Sequence, residues 1–411
     1  LFRSYELEFS RQQNVRINTD VMASPSYASS GGGDYIDTTM AGPYPYRLSF
    51  SMDYAFSNFG YNTFWGAQGQ QQFLFSDMLG DHQIYIAANL FLDIRNSNLY
   101  AAYYYLPEVV DYQIAVYNRL GWSGVNIGGA NVLSRFRNTG VNFGAWYPLS
   151  TFRRVEFGIS YMNTAQDYPE FPTFQGTSLN TIVPEARLVY DNTRQGWWGP
   201  ADGTRYGLNI MGSPKLGNNG IGFMKITADM RQYFSMFDGY LTTALRGNAG
   251  TSFGPNPQRF VLGGVENWIR QINFNQIPFS SPADFAFMEF GMPIRGWDIG
   301  RGIGNNFFLT NAELRFPLFY GLLAGPVPIP LQGVQGTMFF DMGGAWNNGQ
   351  TFVSARPDEN GNLTTRDLLM SAGVGMRSFV LGLPLRVDVA WRNLYWNWSQ
   401  PMWMFSIGAD W

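Results

Sequence analysis

Nucleophiles and metal ligands are scarce in this chain. Its 411 residues include no cysteine and a single histidine, His82. Thiol chemistry, zinc clusters and disulfide scaffolds are thereby excluded, and a lone histidine at a turn has no second imidazole with which to hold a metal. Two short motifs invite a chemical reading. The run from Gly300 to Asn305, GRGIGN, spaces its glycines like a nucleotide loop. It lacks the strand, turn and helix that such a loop requires. Asp358, Asn360 and Asn362 open like a calcium loop. The glycine at position six and the distal glutamate are missing, so a hairpin tip is the better reading. No catalytic residue, metal ligand or cofactor is expected, and a net charge of −3 leaves no footprint for nucleic acid.

What remains is an ionic constellation. In FMEFGMPIRGWDIGRGIGNN (287–306) Arg295 sits between Ile294 and the pair Gly296-Trp297, inside the longest irregular stretch. In TMFFDMGGAWNN (337–348) alternation puts Thr337, Phe339 and Asp341 on one face and Met338, Phe340 and Met342 on the other. An inward carboxylate wants a cation, and a planar guanidinium is its best bidentate partner. Arg295 reaches Asp341 if its loop folds back, and Gly296 permits the tight tip this needs. Glu313 and Arg315 share an inward face and could extend the network, although ordinary cross-strand pairing explains them too.

The elements that must position these groups are strands. Only 14% of residues are charged, against about 25% in an ordinary soluble domain. Aromatics reach 17%, glycines number 47, and mean hydropathy is −0.16. Something other than water faces much of the surface, yet no apolar run attains the roughly 18 residues of a spanning helix. A closed β-barrel is the remaining membrane solution, because it alone among sheets pairs every backbone group in lipid. Alternation recurs down the chain: Val155, Phe157, Ile159 and Tyr161 oppose Arg154, Glu156, Gly158 and Ser160, and Leu385, Val387, Val389 and Trp391 oppose Arg386, Asp388, Ala390 and Arg392. Polar lumen and lipid surface ask for this pattern.

Strands are predicted near 46–55, 63–76, 82–93, 98–106, 111–121, 138–147, 152–163, 181–191, 204–212, 220–232, 237–250, 305–316, 333–344, 366–377, 384–395 and 402–411. The fold class is thus all-β, a transmembrane antiparallel barrel of about sixteen strands. Residues 1–45 are set apart as an N-terminal periplasmic or plug segment, and 46–411 as the barrel, with 251–303 a long outer loop inserted in the lumen. Loops at 121–137, 163–180 and 345–365 are also long, and the connections 191–203 and 317–332 break the alternation of short turns with long loops. A soluble propeller or sandwich would also alternate, but no repeat of about 40 to 50 residues is present. Leu1 opens without a basic and apolar leader, which reads as a mature or truncated chain.

At Ile294-Arg295-Gly296-Trp297 and Phe339-Phe340-Asp341-Met342-Gly343 the sequence resembles the BamA-type outer-membrane assembly and translocation superfamily, also called the bacterial surface antigen family. That family carries a Val-Arg-Gly-Phe/Tyr loop tip and a Phe-x-Asp-x-Gly strand motif. RFVLGG (259–264), NAELRFPL (311–318), SAGVGMR (371–377) and FSIGADW (405–411) follow the family's order. Isoleucine and tryptophan depart from the tip, residues 265–293 separate two motifs that usually lie close, and GAQGQQQFLFSDMLGDHQ (66–83) looks like barrels associated with TolB-like propellers. The resemblance implies that Arg295 and Asp341 form a lumenal lock. It implies an integral bacterial outer-membrane protein, in contact with outer-membrane lipids and with client outer-membrane or secreted proteins. Partner periplasmic domains or lipoproteins would sit beside it, although no POTRA-like domain is legible here.

The closing strand carries Phe405, Ile407, Gly408 and Trp411, with Phe405, Ile407, Ala409 and Trp411 expected to face lipid. Strand 402–411 is expected to pair with 46–55, a seam where the resemblance implies client strands enter. The expected role is insertion or translocation of proteins at the outer membrane. A structural barrel that docks a periplasmic domain or complex is the alternative, and a passive porin a third.

Overall fold

The computed structural model describes residues 46–411 apart from 63–65, 91–96, 108, 128–129, 172, 197, 238, 271–278, 325–328, 358–360, 362, 381–382, 396 and 409–410. Residues 1–45 and the Asp358, Asn360, Asn362 motif lie outside the described residues. Leu48–Trp411 form one compact unit. In chain order the strands are β1 (Phe50–Asn62), β2 (Gly66–Asp77), β3 (His82–Leu90), β4 (Asn98–Tyr105), β5 (Asp111–Ile127), β6 (Ala130–Ser150), β7 (Arg153–Asp167), β8 (Thr177–Asp191), β9 (Arg194–Gln195), β10 (Pro200–Ser213), β11 (Phe223–Met236), β12 (Leu241–Phe253), β13 (Phe260–Leu262), β14 (Glu289–Gly291), β15 (Gly302–Gly304), β16 (Asn306–Ala324), β17 (Ile329–Trp346), β18 (Ala355–Pro357), β19 (Leu363–Thr365), β20 (Leu368–Val380), β21 (Leu383–Arg392) and β22 (Met402–Ile407). One helix, α1 (Pro282–Phe287), precedes β14.

Sixteen of these strands make the wall. Each pairs antiparallel with the next, from β1 through β8, then β10, β11, β12, β16, β17, β20, β21 and β22, in a 17-stranded sheet that counts the short β9. Side chains divide by alternation as lipid and lumen demand. On β7 Phe157, Ile159 and Tyr161 are exposed outward, while Arg154 pairs with Glu156 at 2.6 Å on the other face. On β17 Met338 and Phe340 are exposed, and Thr337, Phe339 and Asp341 are buried.

The predicted strands correspond one for one to the wall, but β1 runs on to Asn62 and three hairpins extend past their predicted strands. β5 and β6 run through most of 121–137, β7 and β8 narrow the 163–180 loop, and β16 with β17 takes most of 317–332. Backbone pairing carries these hairpins beyond the alternating segments, because a ladder needs donors and acceptors rather than apolar side chains. The connection 191–203 is not a free loop either. Trp198 stacks on Phe379 of β20 with centroids 4.3 Å apart, and the Pro200 carbonyl accepts from Arg315 of β16 at 3.4 Å.

The expected closure of 402–411 on 46–55 is absent: among the described residues β1 and β22 form no ladder, and the sheet is open there. β22 is short, ending at Ile407 where Gly408 takes φ +130°, a conformation that glycine alone adopts freely.

The described residues of the loop between β12 and β16 pack against the inner face of the wall. β13 pairs parallel with β14 and antiparallel with β15, a small sheet inside the wall. Of the GRGIGN glycines, Gly302 and Gly304 belong to β15 and Gly300 to the turn before it, and an added Cβ at Gly304 would meet the Trp346 carbonyl oxygen at 2.4 Å. Phe260, Leu262, Ile294 and Trp297 from the loop pack with Phe307, Leu309, Ala345 and Leu369 from the wall.

Candidate functional site

The loop tip and strand β17 meet at Arg295 and Asp341. Arg295 Nε donates to Asp341 Oδ2 at 2.7 Å, Nη2 to Oδ1 at 2.7 Å, and the Arg295 backbone N–H to Oδ2 at 3.0 Å. Its remaining arm, Nη1, lies 2.7 Å from Glu313 Oε1 on β16. Below the guanidinium lies the Phe339 ring, 3.5 Å from Cζ to centroid. Five donors in a planar fork can satisfy two carboxylates and stack on a ring at once, which a lysine cannot do. Arginine and aspartate here are 2% and 0% exposed. Charges so buried persist only with complete pairing.

Shape fixes the tip as firmly as charge. Gly296 adopts φ +82°, and a Cβ there would lie 3.1 Å from the Ala390 Cβ. Gly343 ends the strand motif for a similar reason, since a Cβ would meet Ile294 Cδ1 at 2.6 Å. Trp297 Nε1 donates to the Met370 carbonyl at 3.0 Å, and the guanidinium groups of Arg301 and Arg392 lie 5.8 and 5.5 Å from its ring centroid.

Glu313 and Arg315 do join this network. Arg315 Nη2 stands 2.8 Å from Glu313 Oε2. Three residues not singled out in the sequence complete it. Asp388 of β21 lies 4.0 Å from Arg295 and 2.8 Å from Arg377, and Asn311 donates to Asp341 and to the Pro293 carbonyl, both at 2.8 Å. Arg295, Arg315 and Arg377 thus balance Glu313, Asp341 and Asp388, three charges of each sign, none more than 3% exposed. Inward alternation on β20 and β21 placed Arg377 and Asp388 on the correct face, and that was the available signal. On β20 Gly373 makes way for the Phe339 ring, 2.4 Å from an added Cβ, and Gly375 for Asp388, 2.2 Å from one.

The described residues of 265–293 form two arms, 265–270 and 279–293. One runs to the wall of β5 to β8, where α1 is capped by Ser281. There Arg119 donates to the Phe285 carbonyl at 3.2 Å, and Phe287 packs with Met162, Leu179 and Val183. On the β11 and β12 side, Lys225 pairs with Glu289 at 2.8 Å and Arg246 donates to the Met292 carbonyl at 2.6 Å. Arg246 is itself held by Asp229. The other arm, Val265 to Arg270, runs to β22, where Trp268 packs on Met404.

Of the seam residues, Phe405 faces outward at 48% exposure, Ile407 is half-buried, and Ala409 lies outside the described residues. Trp411 contradicts its expected lipid orientation. Its carbonyl accepts from Arg315 at 3.0 Å, and its ring stands 5.2 Å from the Arg315 guanidinium and 6.2 Å from the buried Tyr233 ring. The turn at Gly408 ends the alternation, so counting by twos past Ile407 assigns the wrong face.

Among curated proteins none matches this chain. In three dimensions it is similar to BamA from Haemophilus ducreyi lacking POTRA domains 1–3, with a TM-score of 0.56 and 13% identity over 88% of this chain and 70% of that one. CdiB from Escherichia coli aligns with a TM-score of 0.52 and 13% identity over 89% of this chain and 63% of that one, so this chain spans less than two thirds of CdiB. Identities this low speak for the fold alone. The sequence itself matches the Omp85 superfamily domain over residues 45–411, wall and inserted loop together, and the chain belongs to that superfamily.

Proposed function

We propose that this chain is an integral outer-membrane barrel that inserts or translocates other proteins at that membrane. The observation that carries the reading is the open seam: a sixteen-strand wall ends on β1 and β22 with no ladder between them among the described residues. A strand edge without a full ladder is a template for another strand. Membership of the superfamily supports the same reading. Arg295 and its carboxylates act as a clasp, holding the loop in the lumen while the seam stays free to change partners. The work comes from strand pairing and local perturbation of the bilayer, with no nucleophile required.

Quantitative proteomics of the outer membrane after conditional depletion tests this. A fall across many barrel proteins is expected of an insertion machine, and a fall in one or a few secreted proteins is expected of a dedicated translocator. An unchanged barrel and secreted proteome would sink both. Loss of a periplasmic complex alone would instead favour a docking barrel, a reading supported by the connection pinned through Trp198 and Pro200.

A further inference from the structure

The free edge of β22 is not bare. Strand β21 takes one side of it, through pairs such as Arg386 with Ser406 and Asp388 with Met404. On the other side, Ile269 N–H donates to the Phe405 carbonyl at 2.7 Å, and Ile407 N–H donates to the Asn267 carbonyl at 3.2 Å. Trp268 and Ser406 form an antiparallel bridge between these bonds. The loop arm thus occupies the edge where a further wall strand would lie.

Its side chains follow the wall's alternation. Trp268 points inward, 5% exposed and packed with Val265 and Met404, while Ile269 points outward at 42% exposure beside Phe405. Arg386 ties the arm down, donating to the Glu266 carbonyl at 2.7 Å and to Ser406 Oγ at 3.0 Å. The mimicry is also brief. Asn267 has φ +54°, which ends the extended run after two backbone bonds, too few to resist a full-length strand.

We infer that Glu266–Ile269 is a placeholder strand: it occupies the β22 edge in place of an incoming antiparallel β-strand with an aromatic residue inward and an aliphatic one outward, and such a strand displaces it. Only the claim that client chains supply the displacing strand rests on the proposed function. The edge, its occupant and their exchange stand without it.

The chain lacks native cysteine, which makes the test direct. Trp268 and Ser406 face each other between hydrogen bonds, a pairing that brings Cα atoms to about 4.5 Å, within disulfide range. The doubly substituted barrel, Trp268→Cys with Ser406→Cys, is purified in lipid nanodiscs, with retained heat-modifiability on gels as evidence of folding. It is compared oxidised and reduced, beside wild type and Ile269→Pro, which deletes one donated bond. The probe is a synthetic copy of residues 264–270 carrying photoreactive benzoylphenylalanine at the position of Trp268, with adducts mapped by mass spectrometry.

The disulfide is expected to form, and adducts at residues 404–407 are expected to vanish in the oxidised barrel and return on reduction. Ile269→Pro is expected to raise them over wild type on the order of fivefold, the weight of one hydrogen bond. Equal labelling of the oxidised and reduced barrels, adducts on β1 instead of β22, or failure of the cysteines to join would overturn the proposal. Because the readout is peptide capture by purified protein, it can succeed while the depletion experiment fails, and the reverse.

Discussion

Removing the guanidinium of Arg295 leaves Asp341 and Glu313 buried and facing no opposite charge from the loop. Breaking a buried pair from one side costs about 3–5 kcal/mol, more than the tip's packing can absorb unaided. Arg295→Ala is therefore expected to free the loop, read as faster trypsin cleavage at Arg270 and Arg301 in folded barrels. Arg295→Lys should fall between, since a point charge meets one carboxylate but not both. Unchanged cleavage in the alanine variant would refute the clasp. Gly343 tests shape separately from charge. Gly343→Ala drives a methyl to 2.6 Å from Ile294 Cδ1, an overpacking of about 1–3 kcal/mol, visible as a lower denaturation midpoint. Ile294→Val removes that Cδ1, so the double variant should recover part of the loss. The Phe308 carbonyl, 2.9 Å from the same point, keeps the recovery incomplete.

Among the elements, the strands were readable because a wall between lipid and a polar lumen obliges every second side chain to change character. Asp341 on β17 and Glu313 and Arg315 on β16 could be assigned an inward face from that alternation alone. Arg295 could not, since a loop has no period; the need of Asp341 for a bidentate cation suggested the pair, and the resemblance in its tip supported it. Asp388 and Arg377 were visible as inward residues but not as members of the cluster, because which strands curve toward the loop is a property of the whole sheet. The two arms of 265–293 were illegible for the same reason: their partners on β5, β11 and β22 are distant in sequence and ordinary in composition. Trp411 was misplaced by extending a strand past Gly408. That difference is measurable. Brominated lipids are expected to quench the outward Trp403, 61% exposed, so Trp403→Phe should reduce the amount of emission quenched and Trp411→Phe should leave that amount unchanged. A loss on Trp411→Phe would return that ring to the lipid.

For the whole molecule, the small sheet of β13, β14 and β15, α1 and both arms lie among the described residues inside the wall, where they obstruct the path of ions. In planar bilayers the intact chain is expected to conduct in small, rare steps, and Arg295→Ala to open larger and longer ones. Large steady currents with Arg295 present would instead identify a porin. The balanced cluster has a further consequence, for the order in which the chain completes itself. Without Arg295 the wall's own share is Arg315 and Arg377 against Glu313, Asp341 and Asp388, an excess of one negative charge. The loop is made before the strands that receive it: Arg295 precedes Glu313, Asp341 and Asp388, and the β22 edge is later still. The tip therefore has no seat until the last strands have been laid down, and its arrival neutralises the cluster. Settling of the loop is thus an internal signal of completeness, given only by a chain whose final strands are in place.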